Sequence, residues 1–101
     1  MDMRKMMKEL QKVQGRMARV QEELRAATYE AEAGGGLVKV ILNGKYEVQS
    51  VRLKKEAADP EDVEALEDLL LAAFNEARAK VEADSQDKLG GMTKGLGIPG
   101  M

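Results

Sequence analysis

The stretch that decides the fold is Leu37-Val38-Lys39-Val40-Ile41-Leu42-Asn43-Gly44-Lys45-Tyr46-Glu47-Val48-Gln49-Ser50-Val51-Arg52-Leu53. Two runs rich in β-branched residues flank an Asn-Gly pair. That is the strongest short-range hairpin signal, because a type I′ turn needs positive φ at both central positions. Strands are therefore expected over 37–42 and 45–53. The alternation of Tyr46 and Val48 slips phase before Val51 and Leu53, and a bulge near Gln49-Ser50 accounts for the slip. Upstream, Thr28-Tyr29-Glu30-Ala31-Glu32-Ala33 alternates small or aromatic residues with polar ones and reads as a third, short strand. Gly34-Gly35-Gly36 joins it to the hairpin as a connector able to take positive φ. Neither a GK[ST] triplet nor a helix start follows, so it is not read as a phosphate loop.

One face of such a three-stranded antiparallel sheet is apolar and needs a helical cover. Two helices flank it. On the N-terminal side Met3, Met6, Leu10, Val13, Met17, Val20, Leu24 and Ala27 recur at alternating steps of 3 and 4, an unbroken a/d pattern. It predicts a helix from Asp2 to about Ala26, roughly 37 Å long. The apolar seam is read as a packing surface, within the domain or against a partner subunit, and its methionines as core filler. On the C-terminal side Asp59-Pro60-Glu61-Asp62 reads as a capping aspartate, a proline at the first helical position and acids in the first turn. Val63, Leu66, Leu70, Ala73, Ala77 and Val81, widened by Leu69 and Phe74, give that helix its stripe, with an end near Lys88. The Gly-rich segment from Gly90 to Met101 reads as a flexible tail. The expected fold class is α+β in two layers: a long N-terminal helix, a three-stranded antiparallel sheet and a long C-terminal helix. A single domain spans 1–89, with the tail at 90–101.

Composition narrows the function. The chain of 101 residues has no cysteine, histidine or tryptophan, and its aromatics are Tyr29, Tyr46 and Phe74. Disulfides, thiolate metal sites, cysteine nucleophiles and the commonest general base are all excluded. Ser50, Ser85, Thr28 and Thr93 have no histidine to activate them and no surrounding nucleophile motif. Three aromatics are too few for a binder that stacks single-stranded bases. An enzyme is not expected, nor a cofactor, a metal or a small-molecule substrate. Thirteen alanines thin the core, and with no disulfide or zinc to compensate, oligomerisation is the remaining remedy, a homodimer by default. The start MDMRKMMKEL is charged where a signal segment is apolar, and the longest apolar run, Leu69 to Phe74, falls far short of a membrane span. The expectation is a cytoplasmic protein.

The net charge of −2 hides a segregation. Residues 1–19 sum to +4 through Arg4, Lys5, Lys8, Lys12, Arg16 and Arg19, whereas residues 56–68 hold seven acids and no base. Lys5, Lys8, Lys12, Arg16 and Arg19 fall within an arc of about 80° at 100° per residue, roughly 125° from the apolar seam. The first helix thus carries a cationic ridge about 21 Å long, and duplex DNA offers a phosphate every ~1.7 Å of axis. The competing explanation of the ridge is a solvated helix face, with Glu9 and Glu23 partly neutralising it. The acidic run is explained by the positive end of the second helix.

The chain also resembles the YbaB/EbfC nucleoid-associated proteins over nearly its whole length. The resemblance rests on Met3-Arg4-Lys5-Met6-Met7-Lys8, on Gly34 to Val40 leading into Asn43-Gly44, and on Val51-Arg52-Leu53. Asp59 to Leu69, Ala72 to Ala77 and the ending Gly97-Ile98-Pro99-Gly100-Met101 complete it. It implies a bacterial cytoplasmic, nucleoid-associated homodimer that holds double-stranded DNA between protruding helices, with little base specificity and sometimes an influence on expression. Carried over by position, Arg4, Lys5, Lys8 and Lys12 match the family's positive helix. Arg16 and Arg19 rest on the helical-face argument, and Lys88 and Lys94 are further candidates at the far end. The alternative is a non-enzymatic protein-interaction module, a clamp-like chaperone or adaptor, using the methionines and the tail. Binding of structured RNA is a third reading.

Overall fold

The computed structural model describes residues 2–95, with side chains described to Gly91. Helix α1 (Met3–Ala26) starts where the Asp2 carboxylate accepts the Arg4 N–H at 3.1 Å. Strands β1 (Thr28–Ala33), β2 (Val38–Asn43) and β3 (Val48–Leu53) follow, then a short 3-10 turn at Lys55–Ala57 and helix α2 (Val63–Gly95). The sheet is antiparallel in the order β1-β2-β3. All three glycines of the β1–β2 connector have positive φ, between 65° and 93°.

The core lies between α2 and one face of the sheet. Ala31, Val38, Val40 and Leu42 from the strands meet Ala73, Ala77 and Val81, with Ala57 of the 3-10 turn closing one end. Small residues on α2 let the helix sit close to the strands. The radius of gyration is 19.5 Å, against about 13 Å for a compact chain of this length. The excess reflects two long helices: α2 runs on past its last core residue, Val81, and α1 leaves the sheet and packs only near its C-terminal end. Leu24 is buried and Val20 half-buried, while Met3, Met6, Met7, Leu10 and Met17 are exposed. The seam therefore finds no partner within the chain over most of its length.

The phase slip in β3 is a bulge: Ile41 pairs with Ser50 and Leu42 with Val48, leaving Gln49 as the extra residue. The turn before it differs from expectation. Asn43 and Gly44 are not in the left-handed region; Tyr46 is, at φ 62°. The Tyr46 N–H donates to the Asn43 carbonyl at 3.1 Å and the Asn43 N–H to the Glu47 carbonyl at 3.0 Å. This is a three-residue hairpin loop, an i→i+3 turn followed by a left-handed residue. Lys45 and Tyr46 thus belong to the loop, and β3 starts at Val48. The buried Asn43 organises it, accepting the Lys45 and Glu47 N–H groups and donating to the Glu47 carboxylate. Gly44 is required for another reason. Its N–H donates to the Leu24 carbonyl at 2.7 Å, and a Cβ there would stand 2.4 Å from that oxygen.

Two boundaries of α2 also shift. Asp59 accepts the Glu61 N–H and forms a turn through Pro60, while Asp62 caps the helix by accepting the Ala65 N–H at 3.2 Å. Proline at the second place of a turn competes with proline at the first place of a helix, and here the turn prevails. At the other end the helix continues through Gly90 and Gly91 to Gly95, past the end expected near Lys88. The rest of the expected tail, 96–101, lies outside the described residues.

Gly44→Ala should cost about 2–3 kcal/mol, because backbone rather than a mobile side chain blocks the new methyl group. Gly15→Ala, with open space around it in α1, should be neutral or stabilising by up to about 1 kcal/mol. Urea unfolding of both variants checks the contrast, and equal midpoints would refute the steric account of Gly44.

Candidate nucleic-acid interface

The basic residues of α1 lie where little else constrains them. Arg4, Lys5, Lys8, Lys12, Arg16 and Arg19 are all exposed. Among the described residues none of them forms an ion pair, so neither Glu9 nor Glu23 neutralises the ridge by direct contact. Each successive pair from Lys5 to Arg19 stands at i,i+3 or i,i+4, where like charges destabilise a helix by about 0.2–0.5 kcal/mol. The first turn of α1 holds no acidic residue, so the cations also oppose the positive end of the helix dipole. The arrangement weakens the isolated helix and concentrates positive potential along one exposed edge.

Periodicity alone does not place this edge on a projecting arm; the family resemblance implies protruding helices, and α1 is such an arm. Leu24 and the Gly44 bond hold the arm at its root, and the ridge begins at Arg19, on the solvent side of that anchor. A helix surrounded by water on most sides approaches a polyanion without first shedding contacts. The geometry allows phosphate contacts along about 21 Å. A half-enclosed hollow between Asp2, Lys5, Met6 and Glu9 lies beside the start of the ridge.

The two C-terminal candidates are not part of this ridge. Lys88 is half-buried and pairs with Asp84 at 3.5 Å. The same Asp84 oxygen accepts the hydroxyl of Tyr29, so strand β1 and helix α2 are tied by a Tyr29–Asp84–Lys88 chain. Nothing in the spacing of these residues announces it, because the tyrosine is 55 positions away. Lys94 falls in the last turns of α2, and its side chain lies outside the described residues.

A family model, the YbaB/EbfC DNA-binding family, matches residues 1–96. The chain belongs to that family. It is similar to a protein of Pelotomaculum thermopropionicum named nucleoid-associated protein, 51% identical over 99% of this chain and 95% of the relative. A nucleoid-associated protein of Oceanobacillus iheyensis is 44% identical over 99% of this chain and 96% of its own length. Among solved structures, an uncharacterized protein from Helicobacter pylori shares the fold. Its TM-score is 0.82 at 24% identity, covering 91% of this chain and 97% of that one. The helix–three strands–helix order is thus that of the YbaB/EbfC family, a family named for DNA binding and not for a catalysed reaction. No helix among the described residues is long and apolar enough to cross a membrane.

Burial, the hydrogen bond to Asp84 and the nearby negative charge push the Tyr29 hydroxyl up to about 12. The raised value means that its contribution to stability is complete below pH 10 and is lost as pH rises through about 12. Ultraviolet titration should show a phenolate step at about pH 12 that is missing from Tyr29→Phe. An unchanged titration curve in that variant would remove the tie from the account.

Proposed function

We propose that this chain is a nucleoid-associated protein of the bacterial cytoplasm that binds double-stranded DNA as a homodimer. The contacts are to the phosphate backbone, from the ridge on α1. The observation that carries the reading is five exposed cations along one edge of a projecting helix, with Arg4 beside its start and none of them in an ion pair among the described residues, in a family named for DNA binding. The ridge itself is lysine and arginine alone, which supply charge to phosphates more than base readout, so sequence preference is weak. Lys5, Lys8, Lys12 and Arg16 are the central contacts, with Arg4 and Arg19 at the ends. Lys88 and Lys94 are peripheral, because Lys88 already serves Asp84. Coating or clamping of DNA by such a protein influences gene expression through access to the duplex.

The competing reading, a protein-interaction clamp, is favoured by the exposed Met3 and Met7 on the same arm. The two are separated by the salt dependence of binding. With four or five phosphates neutralised per ridge, log K against log salt should slope at about −4, and raising salt about fourfold should weaken binding about 250-fold. Fluorescence anisotropy of a labelled duplex of about 30 base pairs reads this directly. Changing Lys5, Lys8, Lys12 and Arg16 together to glutamine should abolish the slope while the circular dichroism spectrum is retained. Full affinity in that variant would transfer the function to another surface.

The acidic segment has a place in the same reading. Glu61, Glu64, Glu67 and Asp68 repel a duplex from the end of the sheet opposite α1. Converting these four to amides, with the cap Asp62 left intact, should raise DNA affinity several-fold at low salt. Unchanged affinity would reduce the segment to a dipole and solubility role.

A further inference from the structure

The seam of α1 is bare over most of its length. Met3, Met6, Leu10 and Met17 are 76%, 45%, 58% and 39% exposed, and Val13 is half-buried. Only at Val20, half-buried, and Leu24, buried at the root of the arm, does the fold take up the seam. The free seam is therefore Met3 to Val20, about 26 Å of helix. Its alternation of steps of 3 and 4 is the pattern by which two helices wind round each other. Met3, Leu10 and Met17 hold one core position of the heptad, and Met6, Val13 and Val20 hold the other.

The residues that flank such a seam choose its partner and its direction. One flank of α1 is Met7, Gln14 and Gln21, without charge; the other is Asp2, Glu9, Arg16 and Glu23. Among the described residues neither Glu9 nor Arg16 has an ion-pair partner within the chain. Against a second copy running in the same direction, unlike flanks meet. Glu9 then faces the partner's Gln14 and Arg16 the partner's Gln21, and no ion pair forms. Against a copy running the opposite way, like flanks meet. Full overlap of the free seam sets Met3 against the partner's Val20, Met6 against the partner's Met17 and Leu10 against the partner's Val13. In that register Glu9 faces the partner's Arg16 and Arg16 the partner's Glu9, a reciprocal pair of contacts about a two-fold axis. A slip of one heptad either way puts Glu9 against the partner's Glu9 or Arg16 against the partner's Arg16. Charge and apolar overlap thus select the same register. Asp2 against the partner's Glu23, at the two ends of the flank, is the unfavourable pairing that remains.

The other faces of the helix agree with this occupant. Lys5, Lys8, Lys12 and Arg19 hold heptad positions that point outward from a coiled coil, and the ridge lies roughly 125° from the seam. A lipid surface fits less well, because a helix lying on it by the seam would aim those cations away from the headgroups.

We propose that the α1 seam is a self-association surface, on which the arms of two copies of this chain pair antiparallel and are held in register by Glu9–Arg16 contacts in both directions. Pairing leaves the outward cations of both arms in solvent, so self-association and phosphate contact are compatible. The contact is separate from the DNA site and goes beyond the function proposed above.

Sedimentation equilibrium of the full chain without DNA, over a range of protein concentration, tests this with a charge exchange. Self-association of the parent through the arms should weaken at least about tenfold in Glu9→Arg and in Arg16→Glu, each of which sets like charges together twice. The chain carrying both substitutions should regain it, because the exchanged pair attracts again, and so should an equimolar mixture of the two single variants. A general loss of helix stability would not be reversed by the second change. A parent that is monomeric throughout would overturn this proposal and the homodimer reading together. Self-association that is the same in all four chains would overturn the arm contact and leave the homodimer reading standing. The absence of native cysteine permits a second readout that traps a weak contact. Leu10→Cys and Val13→Cys chains, mixed and oxidised, should form a disulfide-linked pair of unlike chains. Linkage of like chains alone, or none, overturns the antiparallel pairing.

Discussion

The hydrogen bond from the Gly44 N–H to the Leu24 carbonyl, with Leu24 buried beneath it, is the joint on which the molecule's shape depends. A helix end leaves carbonyls without partners, and here the tip of the β2–β3 hairpin supplies a donor to one of them. Ala27 alone separates α1 from β1, and its N–H is committed to the Glu23 carbonyl at 2.9 Å. With no linker to swing on, the direction of α1 is set by the last turn of the helix against the hairpin. A helix of 24 residues is thus held at one end, and its basic edge inherits its position from a contact well away from any lysine.

The features that sequence reveals here are those governed by neighbours along the chain. A period-two pattern that changes phase requires an extra residue, and Gln49 is that residue. The a/d spacing of α1 and the limits of β1 follow in the same way. The turn type is different, since Asn-Gly signals positive φ locally, whereas Gly44 is needed because a residue twenty positions earlier comes too close for a Cβ. Asp59-Pro60 carries two valid local signals, for a cap and for a turn, and the turn forms, with Asp62 left to cap the helix. Gly90 and Gly91 each cost the helix about 1 kcal/mol, which is too little to halt a propagating helix where no capping residue competes.

The candidate site divides along the same line. That Lys5, Lys8, Lys12, Arg16 and Arg19 share an edge follows from 100° per residue. Periodicity names a face but says nothing about what covers it, so the exposure of the seam beside that edge was not to be had from the pattern. Lys88 shows the converse: its partner Asp84 is local, but the Tyr29 that holds Asp84 arrives from the sheet.

The two helices treat their own dipoles in opposite ways, and this bears on which charges serve an outside partner. At the start of α2 the cap Asp62 and the acidic Glu64 agree with the positive helix end, so those charges stabilise the fold that carries them. Along α1 the cations disagree with the dipole at the N-terminus and with one another at every step of the ridge. The Asp2 cap offsets the conflict only at the first turn, and among the described residues no ion pair relieves the rest of the ridge. Charges that lower the stability of their own helix are best explained by a compensating partner that arrives from outside. A polyanion with phosphates spaced more closely than the lysines relieves every one of those repulsions at once. The arm is the right place for such charges, since its folding hardly contributes to the core and the strain is confined to a helix anchored by a single turn.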